Sequence, residues 1–165
     1  MLSNLTSRRF SRALDKKSYS VYPKTFDKIL IANRGEISRR VIRTCRKMGI
    51  KTVAVYSDAD RHSMFVSEAD EAYRIGPAAT SESYLQMNTI LEVVKASGAQ
   101  AVHPGYGFLS ENPAFQKMLQ AHDVNFIGPG TKAIVAMGDK IESKKLARNA
   151  GVSTVPGFLG EVDTI

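Results

Sequence analysis

Residues 28–37 read KILIANRGEI, and the local period changes inside them. KILIA (28–32) is a short apolar run with β-branched Ile29 and Ile31, the composition of a buried strand. From Gly35 the repeat lengthens. In GEISRRVIRTCRKMG (35–49), Ile37, Val41, Ile42, Cys45 and Met48 fall on one helical face, and Arg39, Arg40, Arg43, Arg46 and Lys47 fall on the others. Gly49 is a helix stop. KTVAVYS (51–57) is a second buried strand. A strand, a helix and a second strand at this spacing form a crossover unit, which makes the two strands parallel.

The same alternation continues outward. SMFVSEAD (63–70) reads as a short helix and EAYRIG (71–76) as a third strand. SYLQMNTILEVVKASG (83–98) reads as a helix with Leu85, Ile90, Leu91 and Val94 inward. AQAVHP (99–104) is a fourth strand, NPAFQKMLQAHD (112–123) a helix, and VNFIG (124–128) a fifth strand. A helical stretch from Thr131 to Ala150 follows, broken at Gly138. The expectation is an α/β fold with a mainly parallel sheet that closes near Gly128 and whose strands are buried on both faces. Residues after that read as the opening of another unit, in which VSTVPGFLGEVDTI (152–165) starts like a further strand and turn.

Composition narrows the class. The hydrophobic fraction of 43% and charged fraction of 24% are those of an ordinary globular domain. No apolar run reaches the roughly 20 residues of a membrane helix, and one cysteine excludes an internal disulfide framework. The net charge of +7 is unevenly placed. Residues 1–26 hold Arg8, Arg9, Arg12, Lys16, Lys17 and Lys24 against Asp15 alone, and the remainder holds 17 basic and 15 acidic groups. The folded part therefore has no electrostatic footprint for nucleic acid. Residues 1–26, basic, rich in Ser and Thr and nearly free of acid, have the composition of a mitochondrial import segment; a disordered basic tail is the alternative.

Ligands of open parallel sheets sit beyond the carboxyl ends of the strands. HPGYGFLSEN (103–112) lies at such an end. Gly105 and Gly107 allow close backbone approach, Ser110 or Asn112 can cap the next helix, and Tyr106 can present its ring or hydroxyl. A tight turn with a tyrosine packed over it reads equally well. ANRGE (32–36) also follows a strand, so Asn33, Arg34 and Glu36 are candidates. It lacks the glycines of a dinucleotide loop, which outweighs the ribose-type acid Asp58. In MGDKIESKK (137–145), Asp139 can cap a helix and Lys140 emerges in its first turn, a setting for phosphate or for one more solvated lysine. The basic face of the first helix reads as solvated or as a protein interface, and Cys45 as core. His62, His103 and His122 lack ligand spacing, so no metal is assigned.

Taken together, KILIANRGEI, KTVAVYSDADR, HPGYGFLSEN, FIGP and MGDKIESKKLA closely resemble the N-terminal part of the biotin carboxylase family, over residues 26–160. VIRTCRKMGIKTVAVYSDAD, QAVHPGYGFLSEN and AMGDKIESK are most similar to members that serve propionyl-CoA carboxylation, with methylcrotonyl-CoA, pyruvate and acetyl-CoA carboxylases as alternatives. The resemblance implies a preATP-grasp domain with a Rossmann-like parallel sheet over residues 27–130 and the truncated start of an ATP-grasp domain over 131–165; residues 1–26 are set before them, on their composition, as a disordered transit segment. It implies a full-length enzyme of the mitochondrial matrix that uses MgATP and bicarbonate to carboxylate biotin, working with a carboxylase β subunit and a biotin carrier domain. By the same resemblance Lys140 contacts ATP, and Tyr106, Gly107 and Glu111 lie on the biotin side. Arg43 lies on the helix that bacterial members use to dimerise. The glycine-rich phosphate loop, the Mg2+ ligands, the bicarbonate-binding residues, the catalytic arginine and the biotin-bearing lysine are expected beyond residue 165. No catalytic residue is therefore expected in this chain, which reads as an inactive fragment. A short non-catalytic module that binds carboxylase subunits is the alternative.

Overall fold

A computed structural model describes residues 25–156 and the short strand Ser7–Arg9 (β1). The apolar run after Asp27 forms β2 (Lys28–Ile31), and the amphipathic segment after it forms α1 (Gly35–Met48). β3 (Lys51–Ser57), α2 (Met64–Glu68), β4 (Glu71–Gly76), α3 (Met87–Ser97), β5 (Ala101–His103), α4 (Pro113–Gln120) and β6 (Asn125–Phe126) follow in chain order. The chain divides into two compact units between Gly128 and Pro129. The second contains α5 (Thr131–Gly138) and α6 (Lys140–Asn149), which break at Gly138 and Asp139.

The sheet order is β1-β4-β3-β2-β5-β6. The strands from β2 to β6 pair in parallel, and β1 pairs antiparallel with the start of β4. This is a doubly wound sheet, and the strand order reverses at β2, between β3 and β5. Alternation along β2 shows how one strand serves two cores. Leu30 faces Ile90, Val94, Phe115 and Leu119 from the α3 and α4 side. Ile29 and Ile31 face Ile42, Cys45, Phe65 and Val66 from the α1 and α2 side. Strands covered on both faces must be continuously apolar, and β3 is buried from Thr52 to Ser57.

Gly49 ends α1 in the left-handed region, at φ 72°, and the Ile50 amide returns to the Cys45 carbonyl at 2.9 Å. Only glycine enters that region without a steric cost. The basic face of α1 is not wholly solvated, because the Arg39 guanidinium forks onto the Glu68 carboxylate at 2.6 and 2.9 Å and so pins α2.

The structure departs from the sequence expectation in two places. Leu85 does not point inward, being 41% exposed, while Tyr84 is 1% exposed. Residues 80–82 form a 3-10 turn, and α3 starts only at Met87, so the helical phase extrapolated back to Ser83 is off by one position. Within the segment set aside as lying outside the fold, Ser7–Arg9 pairs with β4, and Phe26 packs on the α1-side core. Residues 1–6 and 10–24 lie outside the described residues, as do 157–165.

Phe115 is fully buried and meets Phe126 edge-on at 6.3 Å. Phe115→Ala is expected to lower the unfolding free energy by about 3–5 kcal/mol. Leu85→Ala is expected to lower it by less than about 1 kcal/mol. Denaturant titration of both variants checks the buried place of Phe115 against the outward place of Leu85.

Candidate functional site

The crevice at the carboxyl ends of β2, β3 and β5 collects three loops, 32–34, 58–63 and 104–112. Asn33, directly after β2, is 1% exposed. Its amide nitrogen donates to the Pro104 and Tyr106 carbonyls, each at 2.8 Å, and its Oδ1 accepts from the Arg34 amide at 2.9 Å. One buried side chain thus satisfies backbone groups of the loop after β2 and of the loop after β5. The close approach explains Gly105. It sits at φ 66°, and a Cβ there would lie 2.6 Å from the Asn33 amide nitrogen and 2.8 Å from Ile37 Cγ2.

The amide of Gly105 donates to His103 Nδ1 at 3.1 Å, so the neutral ring carries its proton on Nε2. Burial lowers the His103 pKa, which favours that neutral form. Above this turn Tyr106 stands 72% exposed. Gly107 and Glu111 are also exposed. On the α1 side an apolar cavity of about 440 Å³ runs past Ile37, Val41, Cys45, His103 and Tyr106.

The floor of the crevice is polar and buried. Asp60 is 4% exposed. The Arg34 guanidinium makes a two-point contact with its carboxylate, with Nε at 2.7 Å from Oδ2. Tyr84 donates its hydroxyl to Asp60 Oδ2 at 2.6 Å, and Ser57 donates to the same oxygen at 3.2 Å. Burial works to raise the Asp60 pKa, and the hydrogen bonds from Arg34 and Tyr84 outweigh it and hold the carboxyl below its ordinary value. The Tyr84 phenol is pushed well above its usual range, by burial first and by its bond to Asp60 second. Asp60 and Tyr84 escape a sequence reading. The available signal is Ser57-x-x-Asp60-x-x-Ser63, an acid with a hydroxyl three residues away on each side. Asp58, the acid singled out at the end of β3, instead pairs outward with Arg74 and Arg61. The hydrogen bonds from Arg74 hold it at about 2.

The structure brings Asn33 and Arg34 together with the Tyr106 loop, and leaves Glu36 exposed, with Arg40 at 3.6 Å. Asn112 caps α4 by accepting from the Ala114 and Phe115 amides at 2.9 and 3.1 Å. Asp139 does the same for α6, accepting from Ile141 and Glu142 at 2.8 Å. Lys140 is exposed at the first position of α6, in the second unit. Two of the helix amides that would accompany it on an anion are already taken. Cys45 is buried in the core, and burial pushes its thiol up to about 11. Among the described residues no group of three or more His, Cys, Asp and Glu could hold a metal ion, and no helix is long and apolar enough to cross a membrane.

Comparison with known proteins places this geometry. The family described as biotin carboxylase, N-terminal domain, matches residues 25–134. The chain is 65% identical over 150 residues to the mitochondrial propionyl-CoA carboxylase alpha chain of Rattus norvegicus, covering 91% of this chain and 20% of that one. It is 55% identical over 152 residues to the mitochondrial methylcrotonoyl-CoA carboxylase subunit alpha of Dictyostelium discoideum, covering 92% and 22%. A crystal structure of the biotin carboxylase domain dimer of Hydrogenobacter thermophilus 2-oxoglutarate carboxylase, in complex with MgADP, ADP and bicarbonate, matches with a TM-score of 0.77. The identity is 46%, over 84% of this chain and 30% of that chain. The chain spans about a fifth of the length of the curated relatives it matches.

Two measurements test the site's construction. Gly105→Ala is expected to cost about 2 kcal/mol, from the left-handed backbone and the contact with Asn33. Asp60→Asn is expected to cost about 2 kcal/mol at pH 7, less than a fully buried pair because Arg34 is half exposed. The Asp60 carboxyl lies below its ordinary value of 3.8 in the folded state, so its contribution is present above that pH and is lost as the pH falls through the folded value. Denaturant titrations between pH 7 and pH 2 should therefore show the wild type losing its advantage over Asp60→Asn below about pH 4.

Proposed function

The chain belongs to the biotin carboxylase family through its N-terminal domain, and on that premise we propose that it forms the front part of the biotin carboxylase subunit of a propionyl-CoA carboxylase. The observation that carries this reading is the loop after β5. Asn33 holds its backbone from below, and Tyr106 stands 72% exposed above. In the full-length enzyme MgATP activates bicarbonate and the carboxyl group passes to a ureido nitrogen of biotin. The role of residues 104–112 is to bind and orient. Tyr106 offers an aromatic face and Gly107 an unobstructed backbone to the biotin ring system, with Glu111 at the rim.

Residues 131–165 form the start of an ATP-grasp domain, in which Lys140 meets ATP as a point charge. The exposed ammonium at the start of α6 supports that role, and with the Ile141 and Glu142 amides taken by Asp139 the contact rests on the charge of the side chain. No catalytic residue and no Mg2+ ligand is assigned within residues 1–165, so the chain alone does not turn over. The higher identity to the propionyl-CoA relative than to the methylcrotonoyl-CoA relative supports the acyl substrate. The partners of the full-length form are a carboxylase β subunit and a biotin carrier domain. The relatives' mitochondrial designation and the basic residues 1–26 support import into the mitochondrial matrix.

Carboxylation of free biotin with ATP and bicarbonate tests the proposal. The 165-residue chain should show no turnover above its Lys140→Ala variant. In the intact subunit, Tyr106→Ala should raise the KM for biotin about five- to tenfold, the scale of one aromatic stacking contact. Lys140→Ala should instead raise the KM for ATP. An unchanged KM for biotin in Tyr106→Ala removes the biotin-side assignment.

A further inference from the structure

The loop that carries Tyr106 rests on a second layer that its proposed chemistry does not use. Phe108, two residues after Tyr106, adopts φ 46°. A residue with a Cβ enters that region only where its surroundings hold it there. Its ring stacks on Tyr84, with centroids 5.1 Å apart and planes 16° from parallel. Tyr84 in turn is buried and tethered at its hydroxyl. Its hydroxyl donates to Asp60 Oδ2 at 2.6 Å and accepts from the Ser57 amide at 3.3 Å, so donor and acceptor are both engaged. The Arg34 guanidinium lies 5.8 Å from the same ring centroid while it grips Asp60. The next residue in the loop, Leu109, is anchored separately in the core.

We propose that Tyr84, tethered by Asp60, is a positioning residue for the Gly107–Phe108 turn, and through it for the presentation of Tyr106 and Gly107. The structural half of this inference stands on the stack and the tether. The functional half rests on reading the loop as the biotin-facing surface. Asn33 fixes the loop at Pro104 and Tyr106, and Leu109 fixes it beyond the turn. Residues 107 and 108 lie between these anchors, where neither reaches. There the Tyr84 ring stacks on Phe108 at the edge of the core, beside the bond from the Ser110 amide to the Gly107 carbonyl, and it links a carboxylate just after β3 to the exposed turn.

The test uses Tyr84→Phe, which keeps the ring and removes the tether, and Tyr84→Leu, which removes both. The Ser110 amide, bonded to the Gly107 carbonyl at 2.9 Å, reports the closed turn. Hydrogen exchange on the full chain should speed up at Ser110 roughly tenfold in Tyr84→Leu and roughly threefold in Tyr84→Phe, with amides of β2 and β5 unchanged. In the intact subunit the same variants should raise the KM for biotin, to about tenfold in Tyr84→Leu, and leave the KM for ATP within about twofold. Unaltered exchange at Ser110 overturns the proposal. So does faster exchange that spreads equally through the sheet, since Tyr84 would then be a core residue only. Should Tyr84→Leu fail to fold, Tyr84→Phe decides by the same criteria. Faster exchange confined to the turn, with the KM for biotin unmoved, supports the positioning role and refutes the biotin-facing reading of the loop.

Discussion

A buried carboxylate organises the crevice of this domain. Removing Asp60 from water is tolerable only if its charge is paired and its lone pairs are used. Arg34 supplies the charge, and Tyr84 and Ser57 supply hydroxyl donors. These partners come from the loop before α1, the segment before α3 and the end of β3. One unit of charge therefore ties together stretches that are far apart in the chain, and none can shift without exposing or orphaning the others. Arg34 keeps nearly half of its side chain in water, which lowers the desolvation cost of the pair and keeps the arrangement stable.

Above this floor the loop after β5 combines a fixed backbone with an exposed aromatic. Hydrogen bonds from a buried amide fix carbonyls, and ring stacking fixes a side chain, so the two supports constrain different degrees of freedom. A surface held in this way loses little conformational entropy when it binds a planar ligand, and that saving counts directly toward affinity. The neutral His103 ring adds a third constraint, because its Nδ1 must stay unprotonated to accept the Gly105 amide.

The parts of the fold legible in the sequence are those set by local period. The apolar runs at 28–32 and 51–57 and the stripe of α1 announce a crossover unit without any knowledge of their partners. Legibility ends where an irregular turn resets the phase. The 3-10 turn at Thr80–Glu82 places Tyr84 inside and Leu85 outside, and a hydrophobicity pattern favours the reverse choice because leucine is the more apolar residue. It ends also where meaning depends on distant partners. In SDADRHS (57–63) both aspartates look solvated. Only the fold separates Asp58, which faces Arg74 on the surface, from Asp60, which faces Tyr84 in the interior. The loop around Tyr106 was readable as a loop from its glycines, and as a ligand surface only through family resemblance, because two glycines around a tyrosine serve a plain turn equally well.

The helix starts show how a feature that promises an anion site can be closed by the chain's own side chains. Free amides at the first turns of α4 and α6 would attract a negative group. Asn112 and Asp139 occupy two of them in each helix, and the Asp139 carboxylate adds its own negative charge at the start of α6. An anion approaching α6 therefore meets the Lys140 ammonium with fewer of the directed donors that would fix its orientation. A point charge on a flexible stem lowers the energy of a polyanion over a range of positions but selects none of them. In the first unit the loop after β5 has both its backbone and a ring held in place, an arrangement that the start of α6 does not share.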